Sequence, residues 1–295
     1  MEGNYPFYKL QASGNDFILI PHWELSVKRK RWSRFVKHLC ERKWGVGADG
    51  VLVIETAKDK SADFKMRIFN SDGSEAEMCG NGIRCSALWI WWDKERKGEQ
   101  ERGIIKIETK AGATYSRIVR FKPKARGRGC WGEIKVKMVE PIDLKLDLPL
   151  KGISGGRKVN YINTGVPHTV VFVDKVENVD VEKLGRRIRF DKEFAPIGTN
   201  VDFVEVLGYN FIKLRTYERG VEKETLSCGT GSVAAAIVAH QQGIVNSPFK
   251  SRIKVKVVTK SGEILKVYFK KDNSKKIKDV WLEGKAHLIY KGYLF

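Results

Sequence analysis

Two stretches of the chain place a cysteine directly before a Gly-x-Gly turn and a run of mostly apolar residues. They are "EMCGNGIRCSALWIWW", from Glu77, and "LSCGTGSVAAAIVAHQQG", from Leu226. Their cysteines, Cys79 and Cys228, stand 149 positions apart. The apolar run after each predicts a helix buried on nearly all sides. One spans Gly82 to Lys97 and the other Gly231 to Gln242, each stopped by a glycine, Gly98 and Gly243. The first four N–H groups of a helix have no partner inside it and form a site for an anion. Gly80, Gly82, Gly229 and Gly231 leave room for a ligand to approach the backbone, and Asn81 and Thr230 are cap-type residues at matching places. A helix start also lowers a thiol's pKa, toward a form that can take a proton. Each stretch therefore predicts a donor-rich pocket with an acid-base sulfur on its rim.

With the two halves face to face, two helix starts would converge on one anion and two sulfurs would flank it. That geometry suits removal of a proton from one face of a carbon and delivery to the other. For an amino acid, the carboxylate would sit between the helix ends, whose donors stabilise the carbanion-like transition state. "GNG" and "GTG" are too short for a dinucleotide loop, and no CxxC or HExxH spacing occurs, so neither cofactor nor metal is expected. Cys40, Cys85 and Cys130 read as packing residues; Cys85, six after Cys79, falls about 240° round the helix from it.

The elements that must hold these cysteines are written twice. "ASGNDFILI" at 12–20 matches "NTGVPHTVVF" at 163–172, "GVGADGVLVIE" at 45–55 matches "PIGTNVDFVEV" at 196–206, and "TKAG" at 109–112 matches "TKSG" at 259–262. In the first two matches Gly14 aligns with Gly165 and Gly47 with Gly198, an offset of 151, close to that of the cysteines. Runs such as "FILI", "VLVIE", "KMRIFN", "IIKIET" and "YSRIVRF" read as strands, and 32–43 and 180–189 as shorter outer helices. The predicted fold class is α+β, with two pseudo-symmetric lobes, each a mainly antiparallel sheet wrapped around a buried central helix. The expected lobes are 1–128 and 129–279, the last strand, about 280–295, being free to return to the first lobe. A linker is expected at 122–129.

The net charge of +20 comes in scattered clusters, "VKRKRWSRFVKH", "RFKPKARGRG" and "KKDNSKKIK", which read as solvated faces. Nucleic acid, which would need a basic stripe interleaved with stacking aromatics, is not expected as a partner. Five sparse cysteines point to a reducing, cytoplasmic compartment, and neither a secretory signal nor a membrane span is expected.

At "ASGNDF", "RKWGVGADG", "RIFNSDGSEAEMCGNG", "TGVPH", "GTNVDF" and "YERGVEKETLSCGTG" the chain resembles the diaminopimelate epimerases, pyridoxal-independent enzymes, over nearly its whole length. The resemblance implies conversion of L,L-diaminopimelate to the meso form, on the route to lysine, with Cys79 and Cys228 exchanging the roles of thiolate base and thiol acid. It implies that Gly80, Asn81, Gly229 and Thr230 hold the reacting carboxylate. Asn15, Asn70, Asn200, Glu218 and Arg219 would hold the rest of the substrate, and His168 and Glu218 would tune proton transfer. Val166 and Gly50 depart from the family pattern, which often has Asn and Gln there, and both places help bind the distal group. A racemase of another amino acid on the same fold is thus the alternative, and a basic nucleic-acid-binding protein the remote one. Members of the family are often dimeric, which makes a homodimer an expectation by analogy.

Overall fold

Runs such as Val51–Ile54 are apolar at consecutive positions, which a strand needs when it is covered on both faces. Val51 and Val53 pack toward an outer helix, in one core with Trp32, Val36 and Leu39. Leu52 turns to the opposite face, where its Cδ2 lies close to Gly82 of a central helix. Helix outside, strand between, helix inside is the arrangement in each half. The computed structural model describes residues 5–22, 32–99, 103–123, 129–150, 158–247 and 252–294. Most of the linker expected at 122–129 lies outside those residues, as do parts of the first two basic clusters.

The chain divides into two compact units, Met1–Val136 with Glu283–Phe295, and Lys137–Leu282. In the first, β1 (Tyr5–Ala12) pairs antiparallel with β2 (Asn15–Pro21), which runs parallel to β3 (Gly50–Glu55). Helix α1 (Trp32–Cys40) fills that crossover. β3 pairs antiparallel with β4 (Phe64–Asn70), and β4 turns into the short β5 (Glu75–Ala76). The central helix α2 (Gly80–Arg96) then crosses to β6 (Ile104–Thr109), parallel to β4. Antiparallel β7 (Gly112–Pro123) and β8 (Cys130–Lys137) follow. The last strand, β17 (Ile277–Leu294), pairs with both β8 and β1 and closes the ring of strands around α2.

The second unit repeats this order. β10 (Lys158–Asn163) is antiparallel to β11 (Pro167–Phe172), which is parallel to β12 (Asn200–Gly208). β13 (Phe211–Glu218) and the short β14 (Lys223–Thr225) continue antiparallel, and β15 (Ile253–Val258) is parallel to β13 and antiparallel to β16 (Ile264–Lys271). β9 (Ile142–Pro149) adds to β10. Helix α3 (Val181–Arg189) covers the outside, and α4 (Gly229–Gln241) packs against β10, β11, β12, β13, β15 and β16. The sheets are mainly antiparallel, and each carries two parallel pairings at its helix crossovers.

Helices α2 and α4 are buried without a break from Asn81 to Ile90 and from Gly231 to Ala239. Both begin two residues before the predicted starts, because the Gly-x-Gly turns are themselves their first turns. Gly98 and Gly243, at φ 76° and 71°, follow their C-terminal caps, as the sequence predicts. Of the three tryptophans on α2, Trp89 is core and packs at a tilt against Tyr8, whereas Trp91 and Trp92 are half-buried. No helix among the described residues is long and apolar enough to cross a membrane.

Candidate active site

Each central helix is capped by its cysteine. Cys79 is extended, at φ −149° and ψ 117°, and its Sγ accepts from the Gly82 N–H at 3.5 Å. Cys228, at φ −114° and ψ 113°, accepts likewise from Gly231 at 3.4 Å. Sulfur thus does what a serine oxygen does at an N-cap. Asn81 and Thr230, read from sequence as cap-type, instead lie inside the first turn, and their side chains are released to bond elsewhere. The N–H groups of Gly80 and Asn81, and of Gly229 and Thr230, are too early in their helices to find a helical acceptor. The short hairpins β4–β5 and β13–β14 deliver the chain to each cysteine.

Pairing register fixes which residues of the two units correspond. Phe17 lies opposite Gly50 across β2–β3, and His168 opposite Asn200 across β11–β12. Gly50 in turn lies opposite Asn70. Val201 opposite Tyr217 puts Glu218 in Asn70's place. Asn15, Gly50, Asn70 and Asn81 of the first unit therefore match Val166, Asn200, Glu218 and Thr230 of the second. Val166 and Gly50, the two departures from the family pattern, are the counterparts of two predicted binding residues.

In the second unit a chain of hydrogen bonds reaches Cys228. The Thr216 hydroxyl donates to Asp202 Oδ1 at 2.7 Å, and Asp202 Oδ2 lies 2.7 Å from His168 Nδ1. His168 Nε2 is 2.9 Å from Thr230 Oγ1, which is 3.4 Å from Cys228 Sγ. His168 and Asp202 are fully buried. Thr164 holds the helix start from the other side, its hydroxyl donating to the Thr230 carbonyl at 3.1 Å. A Cβ on Gly231 would fall 2.5 Å from Asp202 Oδ1, so only glycine lets the carboxylate press against the first turn. The expectation that the helix start lowers the thiol's pKa does not hold for Cys228. Burial pushes its pKa well up, and the carboxylates of Glu218 and Asp202 add to the push, outweighing the lowering by the contact with Thr230 and by the Gly231 N–H. Burial also raises the Glu218 carboxyl above the ordinary range, again with Asp202 contributing.

The first unit builds a different network. Arg84, fully buried on α2, donates from one nitrogen to Asn81 Oδ1 at 2.6 Å and to Ser13 Oγ at 2.7 Å. Asn81 Nδ2 donates to Asn15 Oδ1 at 2.6 Å, and Asn15 Nδ2 reaches Asp49 at 3.3 Å. Arg42 clamps Asp16 at 2.7 Å and Asp49 at 2.9 Å. Burial pushes the Asp16 carboxyl up, but hydrogen bonds from Arg42 and Lys9 hold it well below the usual carboxylate range. Asn15 and Asn81 are thus one orienting unit.

Two of the remaining predicted residues, Asn200 and Arg219, bond to the backbone. Asn200 donates to the Pro167 carbonyl at 2.8 Å and accepts from the Arg219 N–H at 2.8 Å, which ties β11, β12 and the end of β13 together. Arg219 itself reaches the Ile197 carbonyl at 3.4 Å. Asn70 is exposed at the end of β4, with its amide on Ser74 Oγ at 3.0 Å. Cys40, Cys85 and Cys130 are buried, and burial pushes the Cys40 thiol up to about 11. Among the described residues no group of three or more His, Cys, Asp and Glu side chains could hold a metal ion.

Sequence reasoning passed over Arg84, Asp202 and Thr216. The first two carried a signal: Arg84 is the one charge near the start of an apolar helix, and Asp202 breaks the apolar run of "NVDFV". A buried charge within an apolar segment needs a partner, and both have one.

The profile of the family described as diaminopimelate epimerase matches residues 7–123 and 160–289. A diaminopimelate epimerase of Aquifex aeolicus is 42% identical, covering 98% of this chain and 97% of its own. One from Archaeoglobus fulgidus is 41% identical, over 98% and 95%. Among solved structures, a phenazine biosynthesis protein of the PhzF family from Bacillus anthracis superposes with a TM-score of 0.72 at 18% identity, covering 99% of both chains. A hydroxyproline epimerase from Agrobacterium vitis does so with 0.67 at 15%, over 99% of this chain and 93% of its own. These two share the fold. With both matched segments spanning the two cysteine-capped helices, the chain belongs to the diaminopimelate epimerase family.

Proposed function

We infer that the chain is an isomerase that converts L,L-diaminopimelate to the meso form in lysine biosynthesis, by proton transfer between Cys79, Cys228 and the substrate α-carbon. One observation carries the reading: each half of a family member ends a short hairpin on a cysteine that caps a buried helix. An α-proton is weakly acidic, so its removal needs a base on one face, an acid on the other and stabilisation of the carbanion. Thiol and thiolate supply the first two. Early helix N–H groups at Gly80, Asn81, Gly229 and Thr230 supply the third, through the substrate carboxylate. Removal of the proton by one sulfur and delivery by the other leaves the protein with the same number of protons, in exchanged places. Asn15, Asn70, Asn200, Glu218 and Arg219 take the rest of a zwitterionic substrate, with His168 and Glu218 acting on the thiol. No cofactor enters this scheme. Free thiols at both caps fit a reducing, cytoplasmic setting.

The test is incubation with L,L-diaminopimelate in deuterated water. Deuterium at the α-carbon together with the meso isomer is the expected result. Val166 and Gly50 motivate a second arm with other amino acids, in which exchange on those alone would assign a racemase of a different substrate.

A further inference from the structure

Asp202 has no role in the scheme above, yet its placement determines which way the hydrogen bonds at Cys228 run. A carboxylate only accepts. Thr216 already donates to Oδ1, so Oδ2 requires a donor, and His168 Nδ1 at 2.7 Å must carry the hydrogen. In the neutral ring Nε2 is then an acceptor, filled by the Thr230 hydroxyl at 2.9 Å. Having spent its hydrogen there, Thr230 Oγ1 faces Cys228 Sγ as an acceptor, 3.4 Å away. The sulfur meets it as a thiol, S–H pointing into the chain. With the ring neutral and Asp202 ionised, this is the sense in which Oδ2 and Nε2 both receive a hydrogen.

We propose that Asp202 is a positioning residue that fixes the Nδ1–H tautomer of His168 and thereby makes Thr230 and His168 the accepting end of a proton path from Cys228. The proposal rests on the two-cysteine reading for its catalytic meaning, and on the geometry alone for its chemistry. When Cys228 gives up its proton along this path, the S–H hydrogen passes to Thr230 Oγ1 and the hydroxyl hydrogen passes to Nε2. The charges left are a thiolate and an imidazolium, the latter beside Asp202. No proton is gained or lost, and the reverse movement restores the thiol. The charged and titratable groups facing Cys228 are Glu218 from β13, Asp202 from β12 and His168 from β11.

Asp202→Asn tests this. With Thr216 still donating to the amide oxygen, the amide NH₂ points at Nδ1 and forces the Nε2–H tautomer. Nε2 then donates to Thr230, and Thr230 donates to the sulfur. The pH midpoint of Cys228 alkylation, followed by mass spectrometry, is expected to fall by about one unit. Removal of a negative charge would lower it too, so the deciding measurement is made in a Thr230→Val background. There the Asp202→Asn shift is expected to shrink to less than about half, because the path is cut while the charge change remains. Thr230→Ser, which keeps the hydroxyl, is expected to retain the full shift. Equal shifts with and without the hydroxyl would overturn the proposal, as would no shift in either. Imidazole ¹⁵N spectra of the unmutated protein test it without any substitution: hydrogen on Nδ1 is expected, and a neutral ring with hydrogen on Nε2 overturns it. None of these readouts uses turnover. If the predicted alkylation shifts occur while no amino acid exchanges its α-proton, this proposal stands and the functional reading falls.

Discussion

Gly82 of α2 and Gly231 of α4 stand at the same station, three residues after a capping cysteine, and the groups packed against them differ in kind. A side chain at Gly82 would meet Leu52 Cδ2 at 2.9 Å and Ile68 Cδ1 at 3.1 Å. At Gly231 it would meet Asp202, whose other neighbours are Thr216 and His168. Leu52, Ile68 and Phe17 are the strand counterparts of Asp202, Thr216 and His168. One further residue reverses the contrast: Arg84 is buried on α2 where α4 carries Val233. The duplicated scaffold therefore offers one thiol a helix with a buried cation and the other a nest of carboxylates. An acid and a base of the same chemical type need different surroundings to hold different protonation states, and the duplication supplies the symmetry while these buried substitutions break it.

The largest expected effect removes what the two units share. Cys79→Ala and Cys228→Ala should each lower epimerisation by roughly 10³-fold or more, with a loss of only about 1 kcal/mol in stability from the missing sulfur cap. Full activity in either single variant would end the two-thiol reading. The contrast itself is broken by writing the first unit's set into the second, as His168→Phe, Asp202→Leu and Thr216→Ile together. Stability in urea should be unchanged or higher, since apolar packing often replaces a buried polar network at no cost, while kcat falls by roughly 10²-fold. A triple variant that turns over normally would show the network to be dispensable. In the other unit, Arg84→Met strands Asn81 Oδ1 and Ser13 Oγ. We expect a loss of about 2 kcal/mol in urea unfolding and a larger change in KM than in kcat, because Asn81 and Asn15 lose their orientation.

The smallest effect is read from pH. The folded-state pKa of Glu218 is raised, so the native chain binds that proton more tightly than the unfolded one. Its contribution to stability is fully present below the unfolded glutamate pKa and is lost as pH rises through the folded value. Glu218→Gln should flatten that decline in chemical denaturation measured across mildly acidic pH. It should also lower the pH midpoint for Cys228 alkylation, since one of the carboxylates that raises the thiol is gone. An unchanged midpoint would show that Glu218 does not act on the thiol.

The duplication, the two buried helices and their glycine stops were legible because each leaves a one-dimensional trace: identical short strings at one offset, apolar residues without a break, a glycine after the last turn. Helix starts were misplaced by two residues, since a Gly-x-Gly segment has low helix propensity and only the sulfur cap shows it to be helical. The cap role given to Asn81 and Thr230 failed for the same reason. A cysteine at an N-cap is unusual, and the eye prefers Asn and Thr. The expected acidification of Cys228 failed because the fold buries the thiol and sets against it carboxylates from two strands distant in sequence, whereas the helix start acts over one turn.

Sequence alone determined that this chain has two apolar helices, each preceded by a cysteine and a Gly-x-Gly turn, in two similar halves, because composition and local periodicity are properties of adjacent residues. What only the tertiary structure decided is register. Matching Gly47 with Gly198 by sequence sets Asp202 against Val51, which packs toward the outer helix. The strand pairing sets it against Leu52, which faces the central one. A slip of one residue turns a strand side chain to the opposite face of its sheet. That single step separates a carboxylate under the outer layer from one joined through His168 and Thr230 to the sulfur of Cys228.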